Sequence, residues 1–275
     1  MLRWRTSDRH GRTLSVADTD NAASCAIAAA MGERLEQELG VQIKEATKRE
    51  AEPGNALQNA LRDWLEQEIR GRGLEGQFEV ACNRRIDRFH DYSHLGRLQQ
   101  IIDADQTGEL SLALSGEYLV APDVVIGWVS RPWSEIDLDE DRLTAKSARA
   151  AFLHASVSCK WTIRSDRAQN VRLEATNLAS KRRGRMPHFV FVTCEPLPSR
   201  LQSVARGDGA LDCTYHVALG ALWYALHHAR ASADSIGAQR DVLRTLIQAG
   251  KIRPLTTLAH DLLTFPKSSR SASGY

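Results

Sequence analysis

Apolar residues recur along the chain with two periods, one typical of helices and one of strands. The helical period predicts a helix capped by Asp18 or Asp20 that runs to about residue 39, and a helix capped by Asn55 that runs to about residue 70. Further helical segments are predicted at 86–102, 166–181 and 199–206, and two or three helices close the chain.

Short β-branched or alternating runs predict strands between these helices. The predicted strands cover 78–82, 122–126, 152–163, 188–194 and 213–217. A polar, acidic stretch occupies 134–141. Strands that alternate with helices predict an α/β fold with a central mixed sheet flanked by helices.

Length and composition fit one large globular domain. The 275 residues are 43% hydrophobic and 25% charged, with a formal net charge of +2. We expect a basic arm at 1–14, a single domain at 15–265 and a disordered tail at 266–275. No apolar run is long enough to span a membrane, and five scattered cysteines without a C-x-x-C motif favour a reducing, cytoplasmic location. The near-neutral charge means that any nucleic-acid function must come from local clusters.

The predicted strand at 152–163 has two different faces. Val157, Cys159, Trp161 and Ile163 form a core face. Ser156, Ser158, Lys160 and Thr162 lie on the other face, which would be either solvent-exposed or part of a site. Two interpretations stay open: an edge strand with an outward lysine, or a lysine that belongs to a functional site.

Two carboxylates favour the second interpretation. Glu174 falls in the apolar stripe of the helix that follows this strand, where an unpaired carboxylate is costly, unless it reaches solvent at the rim. Asp123 begins another predicted strand, directly after a proline. Asp123 and Glu174 could hold Mg²⁺, and Lys160 could orient an attacking water or hold a phosphate.

Charged residues follow the strand that carries Lys160. Arg164, Asp166 and Arg167 lie at a strand-to-helix junction, and side chains of these types can read G·C pairs in the major groove. An ordinary surface cluster of ion pairs is the alternative. Lys181, Arg182, Arg183 and Arg185 could contact DNA phosphates, or could form a solvated loop.

The same residues carry a resemblance to a known family. The run LHASVSCKWTIRSDRAQN at 153–170, the Pro-Asp pair at 122–123, GRMPH at 184–188 and CEPLPSR at 194–200 resemble the NgoMIV type of restriction endonucleases, which read sites with a central CCGG. This resemblance implies the PD-(D/E)XK nuclease core. It also implies that the second carboxylate has moved from the strand to the following helix, which agrees with Ser158 before Lys160 and with Glu174 beyond it.

The resemblance also implies roles for individual residues. Asp123 and Glu174 would bind Mg²⁺, Lys160 would be the catalytic lysine, and Ser158 would belong to the site. Arg164, Asp166 and Arg167 would read the central CCGG, and Asp18 and Arg200 the outer G·C pair. The implied activity is double-strand cleavage of GCCGGC after the first G, which leaves a four-base 5′ extension.

One departure from the family concerns Gln58, because the family has a glutamate there that supports the metal site. We therefore expect weaker metal binding or slower cleavage, not inactivity. The resemblance further implies a dimer of dimers and a companion DNA methyltransferase. Three alternatives stay open: a repair or recombination nuclease on the same core, a DNA-binding protein without cleavage, and an unrelated α/β enzyme.

Overall fold

A computed structural model describes residues 2–46, 53–114, 119–129, 133–139, 142–148, 151–206 and 211–264, with only the backbone at 53–54, 114, 133–139, 142–148, 165–167 and 233. The strands within these residues are β1 (Trp4–Ser7), β2 (Gly11–Leu14), β3 (Phe78–Cys82), β4 (Val124–Val129), β5 (Trp133–Asp139), β6 (Arg142–Ala148), β7 (Ala151–Lys160), β8 (His188–Thr193), β9 (Cys213–His216) and β10 (Ile252–Pro254). The helices are α1 (Ala22–Leu39), α2 (Pro53–Gly71), α3 (Ser93–Ala104), α4 (Glu109–Leu114), α5 (Ser165–Lys181), α6 (Pro198–Ala205), α7 (Leu219–His228), α8 (Ala233–Gln248) and α9 (Leu258–Leu263).

The central sheet is mixed, as the sequence predicts, and has six strands in the order β10-β9-β8-β7-β4-β3. Strands β7, β8, β9 and β10 are parallel to one another, whereas β4 is antiparallel to both β7 and β3. Helices lie on both faces of the sheet. Because β4 runs antiparallel to β7, the start of β4 lies beside the carboxyl end of β7.

Strand β7 lies in the middle of the sheet, so the edge-strand interpretation is wrong. It pairs with β4 on one side and β8 on the other, and residues 153–159 are all buried. A register shift against β4 lies between the pairs Ile126↔Ala155 and Gly127↔Leu153, which leaves His154 without a partner in the ladder. Such a bulge reverses the alternation of faces, so that Ser158 points to the same side as Leu153.

Two apolar clusters fill the space between the sheet and the helices. The larger one includes Val157 and Cys159 of β7 together with residues of α1, α2, α7, α8 and α9. The smaller one joins Leu153 and Phe189 to Ala175 and Leu178 of α5 and to the segment 86–95. Helix α5 therefore packs against the face of β7 that carries Ser158, which brings residues of α5 close to the end of the strand.

Several predicted boundaries differ from the observed ones. Helix α1 is capped by Asn21, whose side chain accepts a hydrogen bond from Ser24 N at 2.9 Å, and not by Asp18 or Asp20. Helix α2 begins at Pro53, before the predicted cap Asn55. The segment 86–102 forms two short 3₁₀ turns and then α3, because the intervening Phe89 adopts an extended conformation.

The amino-terminal residues are folded, in contrast to the predicted arm. Strands β1 and β2 form a hairpin, and Trp4 is 1% exposed against α1. Apolar Trp4 and Leu14 alternate with polar residues, and this short pattern is hidden by the arginines around it. Strands β5 and β6 form a second hairpin, which the sequence does not predict, and the expected tail at 266–275 lies outside the described residues. No helix in the described ranges is long and apolar enough to cross a membrane.

Close packing of Trp4 on α1 gives a test of the hairpin. A methyl group added at Gly32 would lie 2.3 Å from Cη2 of Trp4, whereas one added at Gly237 in α8 would meet no heavy atom within 4 Å. We expect Gly32→Ala to lower the free energy of unfolding by about 1–3 kcal/mol, because the buried indole must move. Gly237→Ala should be neutral or stabilising, since alanine favours helices. Urea denaturation measures both, and equal stabilities of the two variants would contradict this packing.

Candidate active site

The carboxyl end of β7 and the start of β4 form the centre of the candidate site. Val124 pairs with Val157, so Asp123 lies beside the last residues of β7. The Lys160 ammonium donates to Asp123 Oδ2 at 2.8 Å, and the backbone N–H of Cys159 donates to the same oxygen at 2.7 Å. The antiparallel pairing therefore brings together the predicted catalytic residues Asp123 and Lys160.

Helix α2 contributes the third hydrogen bond to this carboxylate. Gln58 is 8% exposed, and its Nε2 donates to Asp123 Oδ1 at 2.7 Å. Asn83 Nδ2 donates to Gln58 Oε1 at 3.5 Å, and this contact keeps the NH₂ group of Gln58 directed towards Asp123. Both oxygens of Asp123 thus accept hydrogen bonds, and donors from β7 and α2 set the orientation of the carboxylate.

Glu174 supplies the second carboxylate from α5. Its Oε1 accepts a hydrogen bond from the Ser158 hydroxyl at 3.3 Å. Burial raises the pKa of Glu174 to about 7, and the negative charge of Asp123 also raises it, while Lys160 and Ser158 act in the opposite direction. A cation between the two carboxylates would remove this unfavourable interaction.

The donor set fits a small divalent cation. Carboxylate oxygens of Asp123 and Glu174 are the ligands that Mg²⁺ prefers, and Mg²⁺ usually keeps several waters beside one or two carboxylates. Two carboxylates on neighbouring elements therefore suit a Mg²⁺ site in which water supplies the remaining ligands.

Asn83 is a site residue that the sequence does not single out. It follows β3, its backbone N–H donates to the Asp123 carbonyl at 3.3 Å, and its φ of 51° is positive. Asparagine tolerates such backbone conformations better than most residues. Only the pairing of β3 with β4 reveals its position, and an asparagine just after a strand is a weak signal by itself.

A second cluster lies where β7 leads into α5. Arg200 of α6 forms an ion pair with Asp18, and this hydrogen bond holds the pKa of Asp18 below its usual value, with a smaller contribution from the charge of Arg164. Asp18, Arg164 and Arg200 line one cavity together with Thr162, Arg5 and residues 15–20. The structure thus brings together three of the five predicted base-reading residues.

Asp166 and Arg167 complete the predicted set of base-reading residues. Their backbone lies in the first turn of α5, directly after Arg164. Their side chains lie outside the described part of the chain.

Glu195 joins two backbone segments of the second cluster. It is 1% exposed, and its carboxylate accepts hydrogen bonds from Ile163 N at 2.7 Å and from Leu197 N at 3.1 Å. Burial raises the pKa of Glu195 to about 7, whereas the two backbone donors lower it. The Glu195 side chain thereby ties the segment before Arg164 to the segment before α6, which carries Arg200.

The predicted phosphate-binding cluster lies elsewhere. It precedes β8 and therefore lies at the opposite end of the strands, and its residues are Lys181, Arg182, Arg183 and Arg185. The first residue of β8 is already roughly 16 Å along the strands from Lys160. Arg185 donates to Nδ1 of the buried His154 at 2.8 Å, and the Arg183 backbone N–H donates to the Asp91 carbonyl at 2.9 Å. The structure does not bring this cluster to the carboxylates.

Comparison with known proteins identifies the family of this chain. A family model described as NgoMIV restriction enzyme matches residues 4–264. The type II restriction enzyme NgoMIV of Neisseria gonorrhoeae is 37% identical over 210 residues, which are 73% of this chain and 68% of the relative. The chain therefore belongs to the NgoMIV restriction enzyme family, has the PD-(D/E)XK-like fold of that family and is a site-specific deoxyribonuclease.

Proposed function

We propose that the protein is a Mg²⁺-dependent type II restriction endonuclease that cuts GCCGGC after the first G and leaves a four-base 5′ extension. The observation that carries this proposal is the placement of two hydrogen-bonded pairs, Asp123–Lys160 and Ser158–Glu174, at the carboxyl end of β7. The segment that follows this strand carries Arg164, which lines one cavity with Asp18 and Arg200. One group has the chemistry for phosphodiester hydrolysis, and the other has the chemistry for reading G·C pairs.

In this proposal Asp123 and Glu174 hold Mg²⁺. When bound, the metal would lower the pKa of a coordinated water and neutralise charge that develops on the scissile phosphate. The Lys160 ammonium would hold a phosphate oxygen or orient the attacking water, because its hydrogen bond to Asp123 keeps it beside the carboxylate. Ser158 would keep Glu174 in position through its hydroxyl. Gln58 would set the orientation of Asp123.

The ion pair between Asp18 and Arg200 suits an outer G·C pair. An arginine donates to O6 and N7 of guanine, and a carboxylate accepts from N4 of cytosine, so these two side chains together match one base pair. In the free protein each side chain is the ion-pair partner of the other. The Asp18 side chain is 29% exposed and the Arg200 side chain is 30% exposed. Arg164, Asp166 and Arg167 would read the central CCGG.

The assembly and the cellular setting follow from the proposed activity. A palindromic site implies a two-fold dimer, in which each subunit reads one half. Similarity to the NgoMIV family favours two such dimers back to back, and a size measurement that gives only dimers, with and without DNA, would count against this. We also propose phosphate contacts through Lys181, Arg182, Arg183 and Arg185, a cytoplasmic location, and a companion methyltransferase that protects host DNA.

A second function is favoured by one observation. The Gln58 NH₂ group donates a hydrogen bond to Asp123 Oδ1. A metal ion at this position would need an oxygen ligand instead of an NH₂ group. A protein that binds GCCGGC but cuts slowly or not at all would fit this contact. The following experiment separates the two functions.

A plasmid digest tests the proposed function. One plasmid carries GCCGGC, a second carries ACCGGT at the same place, and a third lacks CCGG. Each is incubated with Mg²⁺ or with EDTA, and the ends are sequenced. We expect cutting of the first plasmid only, in Mg²⁺ only, with four-base 5′ ends. Cutting at both CCGG plasmids would contradict the outer-pair reading. Ends that follow damage or structure would indicate a repair nuclease, and specific binding without cutting would favour the second function.

Lys160→Ala tests the catalytic role of the lysine. We expect cleavage to fall by at least about 100-fold, because the group that holds a phosphate oxygen or the water is lost. Binding of GCCGGC duplex without metal should change little. Lys44→Ala, at an exposed position, is the matched control and should cut normally. Rates from single-turnover assays and affinities from fluorescence anisotropy give the answer, and a Lys160→Ala variant that still cuts at the wild-type rate would refute the role.

Gln58→Glu tests the effect of the amide on metal binding. We expect about tenfold tighter binding of Mn²⁺, because a carboxylate replaces a hydrogen-bond donor beside Asp123. Calorimetry with Mn²⁺ alone measures the affinity, and cleavage against Mg²⁺ concentration gives the midpoint. Gln67→Glu, exposed on the same helix, controls for the added charge. Equal midpoints and rates for the Gln58→Glu variant and the wild type would reject this account.

A further inference from the structure

Arg5 contacts the loop that carries Asp18. It lies in β1, where it pairs with Thr13, and its guanidinium donates to the carbonyl of Ala17, the residue before Asp18. Nε of Arg5 is buried and has no hydrogen-bond partner among the described residues. The hairpin holds Arg5 in place because the neighbouring Trp4 is packed into the core.

The loop at 15–20 is held from two sides. On one side Arg5 binds the Ala17 carbonyl. On the other side the backbone N–H of Asp18 donates to the hydroxyl of Ser24 at 2.9 Å, at the start of α1. These contacts set the position of the Asp18 backbone relative to α1 and to the hairpin.

Arg5 also lines the same cavity as Asp18, Arg164 and Arg200. The cavity lining is mostly polar and includes Thr162 and Ser15. Arg5 is therefore part of the wall of the cavity in which the proposed base-reading side chains lie.

We propose that Arg5 is a positioning residue for discrimination of the outer base pair. By holding the Ala17 carbonyl it keeps Asp18 in line with Arg200, so that both side chains meet one G·C pair at the same time. This inference rests on the proposed function, because it requires that Asp18 and Arg200 read DNA. It adds the amino-terminal hairpin to the elements that determine specificity.

The proposal predicts a selective loss. Without Arg5 the Ala17 carbonyl loses its partner and the loop at 15–20 can shift, while Arg164 stays tied to the core through Ile163 and Glu195. The preference for GCCGGC over ACCGGT should therefore fall about tenfold, the size of one weakened base contact. The preference for ACCGGT over a duplex without CCGG should stay the same.

Fluorescence anisotropy without metal measures both preferences with the full-length protein and three duplexes. The variants are Arg5→Ala and Arg5→Lys, and the control is Arg9→Ala, at the exposed turn of the same hairpin. Arg5→Lys should keep the outer preference within about threefold of wild type, because lysine can still donate to the Ala17 carbonyl. Arg9→Ala should keep both preferences.

The outcomes separate the inference from the proposed function. An unchanged outer preference in the Arg5→Ala variant would overturn the inference. An equal loss of both preferences with a lowered melting temperature would also overturn it, since that pattern indicates a merely structural role. If Arg5→Ala does not fold, the Arg5→Lys variant decides. Equal binding of GCCGGC and ACCGGT by that variant would overturn the inference. A wild-type protein that prefers neither CCGG duplex would instead refute the proposed function.

Discussion

The hydrogen bonds to the Asp123 carboxylate determine how the candidate site is built. Lys160 and the backbone of Cys159 bind one oxygen, and Gln58 binds the other. These donors come from β7 and α2, whereas Asp123 directly precedes β4. Three hydrogen bonds, one of them from an ammonium, stabilise the carboxylate in this half-buried position, so the packing of three elements is coupled to the geometry of the site.

Glu195 gives the molecule a second constraint of the same kind. Its buried carboxylate binds the backbone at Ile163 and Leu197, and His216 binds its carbonyl at 3.1 Å. Burial lowers the pKa of His216 to about 4, so the ring is neutral and can donate from Nε2 while Nδ1 accepts from the Ala218 backbone. The backbone segments that precede Arg164 and Arg200 are thus held together by buried polar groups.

In the proposed function, the Asp18–Arg200 pair is a base-reading surface that is already formed in the free protein. Each side chain satisfies the other in the free protein, which avoids an unpaired charge in a partly closed cavity. Contact with DNA would exchange this ion pair for hydrogen bonds of the same chemistry. The position of Asp18 depends on the loop at 15–20, and that loop depends on the amino-terminal hairpin.

Five strands of the central sheet could be predicted from residue patterns, because alternation and β-branched runs are local properties. The three-residue strand β10 was not predicted, because it is too short to show a period. The sequence also placed Asp123 at the start of a strand, Lys160 on a strand and Glu174 in the apolar stripe of the following helix, where a site could form. It failed for the hairpin of β1 and β2, since Trp4 and Leu14 are too few to show a period among arginines. It also failed for the edge-strand interpretation of β7, because neighbours in a sheet cannot be read from one strand.

By itself, the sequence determined the residue types of the candidate site and most of the elements that carry them. The tertiary structure alone decided which of these residues meet. The antiparallel pairing of β4 with β7 brings Asp123 to Lys160, and the bulge at His154 turns Ser158 towards α5 and Glu174. The parallel pairing of β7 with β8 also separates the basic cluster at 181–185 from these residues. The physical reason is that register and strand direction depend on contacts between segments far apart in the chain.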